Sequence, residues 1–133
     1  ASKVSAVPGV RAALLDFQKE FAASPPEAHA GAVLDGRDIG TVVCPDATAK
    51  LFIIARTEVR AERRFKELHE ADSTVIYARV LEDMKERDAR DQSRSVAPLE
   101  PAQDATILDT SDLDTDQVFE QALAFIASKT PNA

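Results

Sequence analysis

Lys50-Leu51-Phe52-Ile53-Ile54-Ala55 is an unbroken apolar run behind a lysine, set between the turn residues Pro45-Asp46 and the polar Arg56-Thr57. Its shortness and its β-branched and aromatic content fit a strand buried on both faces, as in the parallel sheets of α/β proteins. Two more short runs end in an acid: Ala32-Val33-Leu34-Asp35 upstream and Thr106-Ile107-Leu108-Asp109 downstream. Three such strands with helical crossovers predict a parallel sheet with helices on both faces. Ligands then sit outside the C-terminal ends of the strands.

The helices are legible from spacing. Val10, Leu14, Phe17 and Phe21 recur at helical intervals behind a break at Pro8-Gly9, and a breaker-rich loop follows from Ser24 to Gly31. After the central run, Thr57 is expected to cap a helix whose first turn holds Glu58, and that helix carries Arg60, Arg63 and Arg64 on one face. A second helix is expected from about Ser73, burying Ile76, Tyr77, Val80, Leu81 and Met84 and placing Arg87, Asp91 and Arg94 along one side. Asp114 and Gln117 have the spacing of a capping box for a last helix, with Val118, Ala122, Leu123 and Ile126 turned to the core.

With 133 residues, 44% of them hydrophobic, the chain is long enough for one core, and a single domain over 1–133 is expected. No apolar run approaches the roughly 20 residues of a membrane span. The first residues lack a basic segment followed by an apolar one, so the expectation is a soluble, cytoplasmic protein with no membrane partner. The single cysteine, Cys44, excludes an internal disulfide. His29 and His69 stand too far apart for metal-ligand spacing, so no protein-held metal is expected. A net charge of -7 opposes binding to nucleic acid. Of ten arginines, eight lie between Arg56 and Arg94, interleaved with acids. Such a distribution suits a pocket for a small polyanion, because the planar guanidinium grips phosphate through two N–H groups. Solvated helices laced with i,i+4 ion pairs have the same composition.

Two segments are placed to do chemistry. Asp35-Gly36-Arg37-Asp38 follows a strand, offering an arginine for an anion and an acid for a hydrogen-bond donor, although aspartate-glycine is equally an ordinary turn dipeptide. The charged helix with Arg87, Asp91 and Arg94 is the second, and an exposed helix end is its plainer reading.

The two readings meet in a resemblance. Ser2-Lys3-Val4, Pro8-Gly9-Val10-Arg11, Asp35-Gly36-Arg37-Asp38-Ile39-Gly40-Thr41-Val42-Val43 and Lys85-Glu86-Arg87-Asp88-Ala89-Arg90-Asp91, with the later Val96-Ala97-Pro98-Leu99 and Leu108-Asp109, resemble bacterial cytidylate (CMP) kinases in order and nearly in spacing, from Ser2 to about Lys129. The loop Ala23 to Gly31 is several residues longer than is usual there.

The resemblance implies a partial P-loop-kinase-type α/β fold and phosphoryl transfer from ATP, with Mg2+, to CMP or dCMP, giving CDP or dCDP. By position it implies that Arg11 and Asp38 lie near the cytosine and Ser2 near the sugar, that Arg87 and Asp91 contact the sugar hydroxyls, and that Arg37 and Arg94 hold the monophosphate. Arg60, Arg63 and Arg64 fall in a mobile lid, around residues 56–74, whose arginines approach the ATP phosphates on closure. The family's Gly-x-x-x-x-Gly-Lys-Ser/Thr loop does not occur among these residues, whose only glycines are Gly9, Gly31, Gly36 and Gly40. The expectation is therefore the C-terminal portion of such a kinase, inactive by itself, with unpaired strand edges that the missing N-terminal segment or a swapped copy fills. The complete enzyme is expected to be a monomer. The alternative is a non-catalytic nucleotide-binding module that keeps the monophosphate pocket without ATP chemistry.

Overall fold

The computed structural model describes residues 7–93 and 99–130. The chain forms two compact units, Ala1–Ala47 and Thr48–Ala133.

In the first unit, helix α1 spans Pro8–Ala23, with proline in its first turn, where the ring's fixed φ suits a helix and no N–H bond is forfeited. Its apolar stripe is shallowly covered: Leu14 is 51% and Phe17 64% exposed, and Phe17 and Phe21 touch each other with ring centroids 6.4 Å apart. Ala32–Asp35, expected as a buried strand, is irregular, and Val33 is 93% exposed. The described part of this unit contains no strand to pair with it, and a lone extended run leaves its ladder groups to water. A single π-helical turn, Ile39–Val43, follows the Asp35–Asp38 bend and buries Val43. The turn Pro26–Ala28 places two non-glycine residues, Glu27 and Ala28, in the left-handed region.

The second unit bears out the α/β reading. Strands β1, Leu51–Ile54, and β2, Thr106–Asp109, pair in parallel, with Leu51 opposite Thr106 and Ile54 opposite Asp109. Thr106 N–H to Lys50 O (2.9 Å) and Thr110 N–H to Ile54 O (2.8 Å) extend the ladder at both ends. Each strand has one edge without a strand partner among the described residues. The faces are open as well: Ile53 and Ile107 are more than half exposed. A deeply buried partner sits at the entry to β1, where the Lys50 ammonium donates to Asp104 at 2.8 Å from a side chain only 6% exposed.

Helix α2, Thr57–Ala71, and helix α3, Tyr77–Gln92, pack on each other, each with a buried small or branched residue, the fully buried Ala61 on α2 and the nearly buried Val80 on α3, and with Phe65 edge-on to Tyr77 at 6.0 Å. Two expected helix starts are corrected. Arg56, not Thr57, is the N-cap of α2 and makes no side-chain cap bond, while Thr57 enters the first turn and its hydroxyl accepts from Arg60. α3 starts at Tyr77 rather than Ser73, because the Asp72 carboxylate accepts from both the backbone N–H and the hydroxyl of Thr74 and closes a local turn. Ile76 is consequently extended and 60% exposed instead of buried.

Helix α4, Thr115–Lys129, begins with the anticipated capping box: Gln117 N–H donates to Asp114 at 2.8 Å, and Asp114 N–H to the Gln117 side chain at 3.0 Å. Its inward residues include Val118 and Ala122, as expected, and also Phe125, whereas Leu123 and Ile126 are exposed. No described helix is long and apolar enough to cross a membrane.

Candidate functional site

The sequence candidates divide between the units, and Ser2 and Arg94 lie outside the described residues. In the first unit Arg11 projects from α1 and is exposed, as is Arg37, while Asp38 is half-buried. Asp38 is also the N-cap position of the π turn, and its carbonyl accepts from Val42 N–H at 2.9 Å and Val43 N–H at 3.2 Å. The backbone at Asp38 is thus fixed by the Ile39–Val43 turn, and its side chain makes no cap bond there. Beside it, α1 and the bend enclose a cleft of about 180 Å³ lined by Phe17, Gln18, Phe21, Leu34, Asp35 and Ile39. Neither this cleft nor the π turn was legible from spacing, since a π turn has no sequence period of its own.

In the second unit Arg87 and Asp91 sit one turn apart on α3, and the structure separates their environments: Arg87 is exposed and Asp91 is 4% exposed. The Asp91 carbonyl accepts from Leu99 N–H at 3.1 Å, which ties Leu99 to the end of α3.

The three arginines of α2 share a face by spacing but go to three different partners. Arg60 donates from both terminal nitrogens to the Asp88 carboxylate, and further to Ala55 O (3.1 Å) and the Thr57 hydroxyl (3.3 Å). The fork on Asp88 holds the Arg60 guanidinium above its ordinary pKa, against the opposing effect of burial. Arg63 reaches the end of β2, donating to the Thr110 hydroxyl (3.0 Å), Thr110 O (2.6 Å) and Leu113 O (3.3 Å). Arg64 meets Glu67, at 2.6 Å, its one partner among the described residues, with both side chains at least half exposed.

The loop after β2 is tied to the start of α2. Ser111 accepts from Arg56 N–H at 2.9 Å, and Arg56 holds Asp112 in a fork with bonds of 2.8 and 3.3 Å. The hydrogen bond from Arg56, reinforced by its charge, lowers the Asp112 carboxyl below the usual range. Asp109 is lowered in the same direction by the Ser111 hydroxyl and backbone N–H. Sequence reasoning missed the roles of Asp88, Asp112 and Thr110, because their arginine partners lie 28, 56 and 47 residues away. Local spacing carries no signal for such pairs. Among the described residues no group of three or more His, Cys, Asp or Glu is placed to hold a metal ion.

These features define an α/β protein with parallel strands, whose strand-end loops and flanking helices set two arginine forks on carboxylates, Arg56 on Asp112 and Arg60 on Asp88. The family model for cytidylate kinase matches residues 1–128. Curated relatives named cytidylate kinase include one from Paramagnetospirillum magneticum, 67% identical over 129 residues, covering 97% of this chain and 61% of the relative. Another from Rhodospirillum rubrum is 55% identical, covering 98% and 61%, and one from Azorhizobium caulinodans is 58% identical, covering 95% and 59%. The chain belongs to the cytidylate kinase family. It spans about three-fifths of the length of the curated relatives it matches.

Proposed function

We propose that the full-length protein transfers a phosphoryl group from ATP to CMP or dCMP, giving ADP and CDP or dCDP. The observation that carries this reading is the family match over residues 1–128, together with an exposed arginine, Arg37, beside Asp38 in the bend after Leu34. On this reading Arg11 and Asp38 recognise the cytosine, Ser2, Arg87 and Asp91 the sugar, and Arg37 and Arg94 the monophosphate. The segment around 56–74 is the lid, with Arg60, Arg63 and Arg64 as its charge. Such chemistry asks little covalent work of the protein. It asks for alignment and neutralisation, which forked arginines supply.

ATP is the donor as its magnesium complex. The magnesium ion is read as part of the nucleotide substrate, and no step is assigned through it. No Gly-x-x-x-x-Gly-Lys-Ser/Thr loop occurs within the 133 residues, so the reading gives these residues the acceptor side and the lid. The full-length protein is read as a monomer. The half-exposed Ile53 and Ile107 on the sheet support its being covered by further protein in that state.

The test is steady-state turnover of full-length protein with CMP, dCMP and UMP. Arg37→Ala is expected to lower kcat/KM for CMP by about 100-fold, the scale of removing one charged contact that aligns the attacking phosphate. Full turnover in that variant refutes the site. Binding of CMP without any turnover by the wild type supports instead a nucleotide-binding module without catalysis.

A further inference from the structure

Asp88 stands out among groups that the proposed function leaves unused. It follows Arg87 directly and precedes Asp91 by three residues, so it sits in the one helical turn that presents both proposed sugar contacts. Its carboxylate is only 24% exposed and is filled by the Arg60 fork from the neighbouring helix. Arg60 is in turn tied to the carbonyl of Ala55, the residue after β1. The path therefore runs from the end of β1 through Arg60 to Asp88, and from Asp88 along a rigid turn to Arg87 and the buried Asp91. Away from this link, α2 and α3 meet through apolar packing at Ala61, Val80, Phe65 and Tyr77 and through one long hydrogen bond, from the Tyr77 hydroxyl to Glu58 O at 3.5 Å, which together resist separation more than sliding or rotation. A forked ion pair is directional and fixes both.

We propose that Asp88 is a positioning residue that couples the two nucleotide sites, by tying the helix that carries the lid arginines to the helix that presents Arg87 and Asp91. The inference rests on the functional reading above. Its physical basis is that a phosphate and a carboxylate take the same two N–H groups of a guanidinium, so a triphosphate drawing on Arg60 changes the grip on Asp88. Any change in that grip reorients the turn holding Arg87 and Asp91. Donor binding is thereby felt at the acceptor's sugar.

Calorimetry on the full-length protein measures the affinity for CMP with and without a saturating non-hydrolysable ATP analogue and magnesium. For the wild type the analogue is expected to tighten CMP binding at least about 5-fold, the lower end of common coupling between sites. In Asp88→Asn, whose amide offers one acceptor instead of a fork, the ratio is expected to fall below about 2-fold, with CMP affinity alone changed less than about 3-fold. Asp88→Glu, which keeps the carboxylate, is expected to recover part of the ratio. If Asp88→Asn does not fold cooperatively, Asp88→Ser takes its place, since it removes the carboxylate and leaves Arg60 intact, and the same collapse of the ratio is expected.

An unchanged ratio alongside a lowered melting temperature means that Asp88 only stabilises the protein, and overturns the inference. A wild-type ratio of one overturns it too, while leaving the kinase reading intact. Failure of the wild type to bind CMP at all refutes the functional reading itself, a result distinct from the other two.

Discussion

Replacing Arg63 by methionine removes a guanidinium from the end of β2 while keeping most of the apolar stem. Thr110 is only 3% exposed, and its hydroxyl and carbonyl both accept from Arg63, at 3.0 and 2.6 Å. The Thr110 hydroxyl also donates to Ile54 O at 3.1 Å, so it orients the last step of the β1–β2 ladder. Two bonds from a charged donor contribute roughly 1.5 to 3 kcal/mol each when buried. The exposure of the arginine reduces that by about half, while the carbonyl left behind adds a desolvation cost. The net is about 2 kcal/mol of destabilisation, and the third bond, to Leu113 O at 3.3 Å on the exposed side, adds little. For a chain of this size that is a fall of roughly 6 to 8 °C in Tm. Arg64→Met is the control, because its only partner among the described residues is the exposed Glu67, and a surface pair of that kind is worth less than about 1 kcal/mol. Urea unfolding followed by circular dichroism reads both, with the m-value checked for constancy. Equal stabilities for the two variants refute the argument that the Thr110 clamp is structural.

Four further outcomes are expected. Asp114→Ala removes the N-terminal half of the α4 capping box and lowers stability by about 1 kcal/mol in urea unfolding, whereas Gln117→Ala costs less because the Asp114 bond to the backbone survives. Ala28→Gly relieves a left-handed alanine and raises stability by up to about 1 kcal/mol, unless the looser unfolded chain cancels the gain; a loss larger than that shows the turn to be otherwise held. The Asp104 carboxyl is held below its ordinary value by the hydrogen bond from Lys50, so its contribution is complete above the unfolded carboxylate pKa, near pH 4, and is lost as pH falls through the lower folded value. Wild type and Asp104→Asn, compared by urea midpoint, are expected to differ at pH 7 and to converge at about pH 2; a gap that persists in acid contradicts the linkage. Ala61→Leu forces volume into a fully buried seam between α2 and α3 and costs about 1 to 3 kcal/mol in thermal unfolding, and a neutral result means that the helices part easily.

The sequence by itself determined the features whose cause is local. The apolar runs at Leu51–Ile54 and Thr106–Asp109 read as short strands, and Asp114 with Gln117 as a helix cap, because period and capping chemistry act within a few residues. It also carried the family, through an ordered series of motifs that the match over residues 1–128 bears out. Ala32–Asp35 reads like its two companions, yet a strand exists only where another chain segment takes its hydrogen bonds, and that is a tertiary matter. Likewise the spacing placed Arg60, Arg63 and Arg64 on one face without saying where their charges go. Only the fold brought Asp88 to the first and the Thr110 carbonyl to the second, while the third meets a surface glutamate. The same residue type on one helix becomes a link between helices, a clamp on a strand end and a solvated charge, because an arginine's role is set by the acceptor it reaches, and that acceptor lies tens of residues away in the chain.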